Sequence, residues 1–228
     1  MLIPSIDLLG GRIVQLVQGE KLRLAFDDFE YWIEKFGRYP LVQLIDLDAA
    51  MRQGDNAALV EQIAKRLPCQ AGGGIHSIER ARRMLDAGAQ RVIIGSALFS
   101  EQEGRASVNT AFASELANSI GQAQIVAGID TKSGNIAVKG WKARVALTPD
   151  QAIPQLEPHV AAFLYTHVDG EGLMQGFPIE VAARLRKLTT QQLIVAGGIR
   201  SQQEIDALHA MRVDAVVGMA VYTEILAV

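Results

Sequence analysis

Two stretches decide the fold: Leu2-Ile3-Pro4-Ser5-Ile6-Asp7 at one end of the sequence and Ile125-Val126-Ala127-Gly128-Ile129-Asp130 past its middle. Each is a short apolar run closed by an aspartate, and the two aspartates stand 123 residues apart. Gly73-Gly74-Ile75 and Gly197-Gly198-Ile199 each follow an apolar stretch, at an offset of 124. Gly95-Ser96-Ala97 and Gly218-Met219-Ala220 repeat at 123. Three paired features at one period, in 228 residues, describe two homologous halves. Each half brings one carboxylate and one pair of glycine-rich turns.

Working outward, short apolar runs alternate with amphipathic stretches, the pattern of repeated β-α units around a parallel sheet. Strands are expected near 2–7, 41–48, 68–72, 91–95, 124–130, 161–166, 192–196 and 214–218. Helices are expected near 28–37, 57–66, 78–87, 106–119, 149–156, 179–188 and 202–210, with a short one after Met219. Ser201-Gln202-Gln203-Glu204 reads as a capping box, and Thr148-Pro149 as a cap before proline at the first helical position. Asp86-Ala87-Gly88-Ala89 places glycine where a helix ends. Short extra strands are expected at Arg12–Val17 and Asn135–Val138. Eight strands with helical intervals fit a closed (β/α)8 barrel, built from two half-barrels and forming one domain over residues 1–228.

Composition narrows the function. An apolar fraction of 49% with 21% charged residues is globular. Net charge is −3 with no basic run, which gives no footing for a nucleic-acid or membrane partner. The lone Cys69 sits in an apolar stretch, as a buried thiol does, and one cysteine forms no intrachain disulfide. No run reaches the roughly 18 apolar residues of a membrane span, and no cleavable leader is visible. The expectation is a cytoplasmic monomer.

In barrels of this kind the active site lies at the carboxyl ends of the strands. Asp7 and Asp130 fall there, on strands 1 and 5, opposite each other across the mouth. Two facing carboxylates can divide the work of general acid and base; alternatively each caps a turn or orients a loop. The turns Gly73-Gly74, Gly95-Ser96, Gly197-Gly198 and Gly218-Met219 free backbone amides beside helix starts, as phosphate sites do, or only permit tight turns. Four such turns in two matching pairs favour two phosphates. Trp141 either stacks on a heterocycle or packs on a loop, and His167 is either a substrate contact or a bonded loop histidine. No metal-ligand spacing, Walker loop or dinucleotide fingerprint is present.

Ile3-Pro4-Ser5-Ile6-Asp7-Leu8 with Gly11 to Glu20 resembles the opening of the histidine-pathway isomerases that act on phosphoribosylformimino-aminoimidazole carboxamide ribotide (ProFAR). So do Ile45-Asp46-Leu47-Asp48-Ala49-Ala50, Ala71 to Ile75, Val92 to Ala97, Gly128-Ile129-Asp130 and Gly140-Trp141. The resemblance spans almost the whole chain. It implies a bis-phosphate substrate and an Amadori rearrangement of an aminoaldose to an aminoketose, without a cofactor. It also implies that Asp7 is the base and Asp130 the acid, with Thr166 assisting, and adds Gln18, Gly19 and Asp46 to the substrate contacts.

The chain departs from that pattern in places. Gln15 replaces a usual arginine or lysine. The usual Thr-Asp-Ile-Ser-Arg-Asp-Gly reads here Thr166-His167-Val168-Asp169-Gly170-Glu171-Gly172, and Glu20–Phe26 is atypical. His167 and Glu171 are therefore the polar candidates for contacts made on closure. Alternatives are an isomerase that also accepts phosphoribosylanthranilate and a non-catalytic phosphosugar-binding barrel. The related cyclase of the pathway usually carries lysine where this chain has Gln18.

Overall fold

The computed structural model describes residues 1–102 and 105–226, so the expected domain end at Val228 lies outside the described residues. Eight parallel strands form the centre: β1 (Leu2–Leu9), β2 (Val42–Asp46), β3 (Cys69–Gly72), β4 (Arg91–Ile94), β5 (Ile125–Lys132), β6 (Ala162–His167), β7 (Gln192–Ala196) and β8 (Val213–Val217). Each pairs with the next, and β8 pairs back to β1 through Leu2 and Ala215, so the sheet closes on itself. Helices between the strands cover its outer face. The fold is the expected (β/α)8 barrel.

Strand periodicity assigns the faces. On β1, Ile3, Ser5 and Asp7 point into the barrel; on β5, Val126, Gly128 and Asp130 do so. Ile3, Ile93, Val126, Leu164, Ile194 and Val216 pack together in the lumen. A larger apolar layer, including Ile6, Leu8, Leu44 and Phe163, lies between strands and helices.

Below the luminal layer lies a polar floor. The Arg91 guanidinium donates to Gln192 Oε1 on β7 at 2.6 Å and to Gln70 Oε1 on β3 at 2.9 Å. Gln192 in turn donates to Asp214 at 2.7 Å, and Asp214 also receives the Met1 amino group.

The repeat is legible in backbone angles. Gly10-Gly11 and Ser133-Gly134 are both left-handed pairs, the two-residue turns that suit right-twisted hairpins. The first leads to Arg12–Val17 and the second to Asn135–Val138, as expected. A third ribbon strand follows in each half, Lys21–Phe26 and Ala143–Val145. The atypical Glu20–Phe26 stretch is thus mostly strand, with Phe26 stacked on Tyr222.

Two expected boundaries are corrected. The helix expected over 106–119 is Thr110–Ile120, because Asn109 caps it by accepting from Phe112 N–H. Arg105–Val108 instead pairs with Phe99–Gln102. The strand expected over 41–48 ends at Asp46, whose carboxylate caps a short helix, Leu47–Met51.

Candidate active site

The carboxyl ends of the strands open on a cavity of about 910 Å³ lined by Asp7, Asp130, Thr166 and Glu171 and by all four glycine turns. Asp7 accepts from Ser5 Oγ at 2.8 Å, and burial pushes its carboxyl up to about 6 against that hydrogen bond. Asp130 lies level with Thr166 on β6 and accepts from Trp141 Nε1 at 2.8 Å. Burial raises its pKa above the usual aspartate range, opposed by hydrogen bonds from Thr166 and Trp141.

A third acid completes the group. Glu171 is pushed up to about 8, first by burial and then by the negative charges of Asp7 and Asp130. Near neutral pH Glu171 thus holds a proton more readily than Asp7 does. Its loop is tied to both ribbons: Gln18 N–H donates to Glu171 O and Gln18 Nε2 to Asp169 O, each at 3.0 Å, while Asp169 Oδ2 accepts from Ser133 N–H at 2.8 Å.

The glycine turns match in detail. A Cβ on Gly73 would lie 2.2 Å from the Asp46 carbonyl oxygen, and one on Gly197 would lie 2.4 Å from that of His167. Both positions have left-handed φ, so close approach and conformation each demand glycine. Gly95 and Gly218 share an unusual backbone, with φ and ψ of −105° and −103° against −102° and −95°. The two anion sites differ in charge, however. Lys139, docked on Ser96, and Arg80, on the helix that follows Gly73-Gly74, line the cavity at the first, and the buried Nε of Arg80 has no partner among the described residues. Beside Gly218 lies the buried neutral carboxamide of Gln15.

Trp141 belongs to a backbone run, Lys139-Gly140-Trp141, with three consecutive left-handed φ values of 57°, 62° and 66°. Lys139 N–H donates to Ser96 Oγ at 2.8 Å, docking the run on the first anion site. Trp141 thus reaches the cavity and bonds an acid rather than packing only on a loop.

Three expected contacts are placed differently. The buried Asp46 carboxylate is taken up by the N–H groups of Ala49 and Asn56 and by Asn56 Nδ2, and it does not line the cavity. His167 holds the equivalent place in the second half, its ring edge-on to Phe177 and off the cavity lining. Gln18 spends its polar groups on the loop after β6, whereas its neighbour Gly19 does line the cavity. Sequence reasoning missed Ser5 and Arg80. The signal for Ser5 was its place two residues before Asp7 on the same strand face.

The profile of the family described as histidine biosynthesis protein matches residues 1–227. The chain belongs to this family. A relative from Methanocaldococcus jannaschii, named 1-(5-phosphoribosyl)-5-((5-phosphoribosylamino)methylideneamino)imidazole-4-carboxamide isomerase, is 32% identical over 97% of this chain and 93% of its own length. The relative of the same name from Methanosphaerula palustris is 35% identical over 96% and 93%. A third, from Methanothermobacter thermautotrophicus, is 31% identical over 97% and 93%. Among the described residues no helix is long and apolar enough to cross a membrane.

Proposed function

We propose that the chain is a ProFAR isomerase of histidine biosynthesis, converting the aminoaldose to the aminoketose PRFAR by an Amadori rearrangement. The observation that carries this reading is one cavity holding Asp7 and Asp130 at equivalent strand ends, flanked by two matching pairs of glycine turns. The relatives' name carries two phosphoribosyl groups, which is the ligand such a cavity suits. A bis-phosphate would seat one phosphate at Gly73, Gly74, Gly95 and Ser96 and the other at Gly197, Gly198, Gly218 and Met219.

In this reading Asp130, its pKa raised, gives its proton to the ribose ring oxygen. The bond from C1 to that oxygen breaks toward the oxygen, and the substrate nitrogen's lone pair forms the iminium. Asp7, ionised above about pH 6, takes the proton from C2, whose bonding pair becomes the enolamine double bond. Reprotonation at C1 and loss of the C2 hydroxyl proton yield the ketose. Thr166 and Trp141 orient Asp130, and Glu171 contacts the substrate as a neutral donor. The reading has the chain acting as a cytoplasmic monomer in one domain and asks for no cofactor.

The test is a spectrophotometric assay of purified protein with ProFAR, run beside phosphoribosylanthranilate. Turnover of ProFAR is expected; its absence, with or without turnover of phosphoribosylanthranilate, would overturn the proposal.

A further inference from the structure

The two acids are held by different donors, and the difference breaks the repeat. Ser5 stands two residues before Asp7 on the luminal face of β1, and the matching place before Asp130 is Gly128. Asp130 is served instead from other elements, by Trp141 and Thr166. Ser5 is buried, lines the cavity floor beneath Asp7, and donates to Oδ1 at 2.8 Å. Among the described residues nothing donates to Oδ2. The Ser5 carbonyl oxygen in turn accepts from the buried Tyr222 hydroxyl at 2.9 Å, which holds this point of the strand from the last helix (Met219–Tyr222).

We propose that Ser5 is a positioning residue that pins Oδ1 of Asp7 and leaves Oδ2 as the atom that takes the substrate proton. The inference rests on the isomerase reading for its use of Asp7, though the contact itself does not. A hydroxyl donor to a carboxylate favours the charged form, which is the form a base needs. None of the other titratable groups facing Asp7 offers it a positive charge. Glu171 after β6 and Asp130 across the mouth are acids, and Tyr222 carries no charge at neutral pH. Ser5 is thus the group that favours the ionised form of Asp7 against the burial that opposes it.

The experiment reads Asp7 directly, without substrate. Protein carrying 13C-labelled aspartate carboxyls is titrated by NMR, with Asp7 assigned by the resonance lost in Asp7→Asn. Ser5→Ala is expected to move the Asp7 midpoint up by about one pH unit, a tenfold change in ionisation constant. Ser5→Thr, which keeps the hydroxyl, should titrate near wild type. Ser5→Cys, close in shape but a weak donor, should fall between and serves if the alanine variant does not fold. The acidic limb of kcat against pH should move with the midpoint while KM stays within about twofold. An unmoved Asp7 midpoint in Ser5→Ala, or in Ser5→Cys if that is the variant that folds, overturns the proposal. So does a threonine variant that titrates like alanine. If the isomerase reading alone is wrong, the midpoint still moves but wild-type protein does not turn over ProFAR.

Discussion

Gly19 lies flat against the indole of Trp141: a Cβ on residue 19 would fall 2.3 Å from Cε3 and 2.7 Å from Cζ3. The contact joins the ribbon after β1 to the ribbon after β5, and it backs the ring whose nitrogen donates to Asp130. Gly19→Ala is therefore expected to push Trp141 off Asp130, a displacement visible in tryptophan fluorescence. Trp141→Phe removes the donor outright. Loss of that hydrogen bond raises the Asp130 pKa further, so the alkaline limb of kcat against pH should move upward. An alkaline limb unchanged in Trp141→Phe would remove Trp141 from the acid's environment.

Asp7→Asn and Asp130→Asn are each expected to lower kcat by at least roughly 100-fold, the usual contribution of a positioned acid or base. Substrate binding, followed by calorimetry, should survive because the anion turns are untouched. Near-native turnover in either variant would exclude that residue from the reaction.

Glu171 predicts an unusual pH dependence of stability. Its pKa is raised on folding to about 8, so between the unfolded value near 4.5 and about 8 the folded state binds the extra proton. Stability then falls as pH rises through this window. Glu171→Gln, which stays neutral, should match wild type near pH 4 and melt at a higher temperature than wild type at pH 9. A melting difference that does not grow with pH would contradict the buried, acid-flanked setting. Glu171→Ala should weaken ProFAR use about tenfold, measured as kcat/KM, whereas His167→Ala, off the cavity lining, should leave it unchanged.

Crystals soaked in phosphate or sulfate are expected to hold one anion at Gly73, Gly74, Gly95 and Ser96 and another at Gly197, Gly198, Gly218 and Met219. Arg80, on the helix after Gly73-Gly74, has a buried Nε without a partner among the described residues, and a charge-assisted hydrogen bond contributes roughly 1.5–3 kcal/mol. Arg80→Ala should weaken phosphate binding at the first site by about tenfold or more and leave the second unchanged. Equal weakening at both would show that Arg80 acts through the field of the whole cavity.

The barrel was readable because its strands are apolar runs closed by glycine or aspartate, and because Asp7 and Asp130 stand at equivalent places, each two residues before the end of its strand. Positions whose backbone sets the geometry, such as Gly73 and Gly197, were readable for the same reason. Side-chain direction was not. Asp46 and His167 are polar residues near strand ends, as Asp7 is, yet they fall on the alternate face, where Asp46 caps a short helix and the His167 ring packs edge-on to Phe177. Arg80 sits on a helix with Arg82 and Arg83, where sequence alone shows a charged surface. The start at Thr110 was missed because residues 106–109 are compatible with a helix until the pairing with Phe99–Gln102 is known.

Arg91 reaches across the barrel from β4 to β7, and its hydrogen bonds cork the lower end. Substrate must then enter, and product leave, by the same doorway. On the proposed reading the two share both phosphates and compete for one berth, so inhibition by product is expected to be competitive.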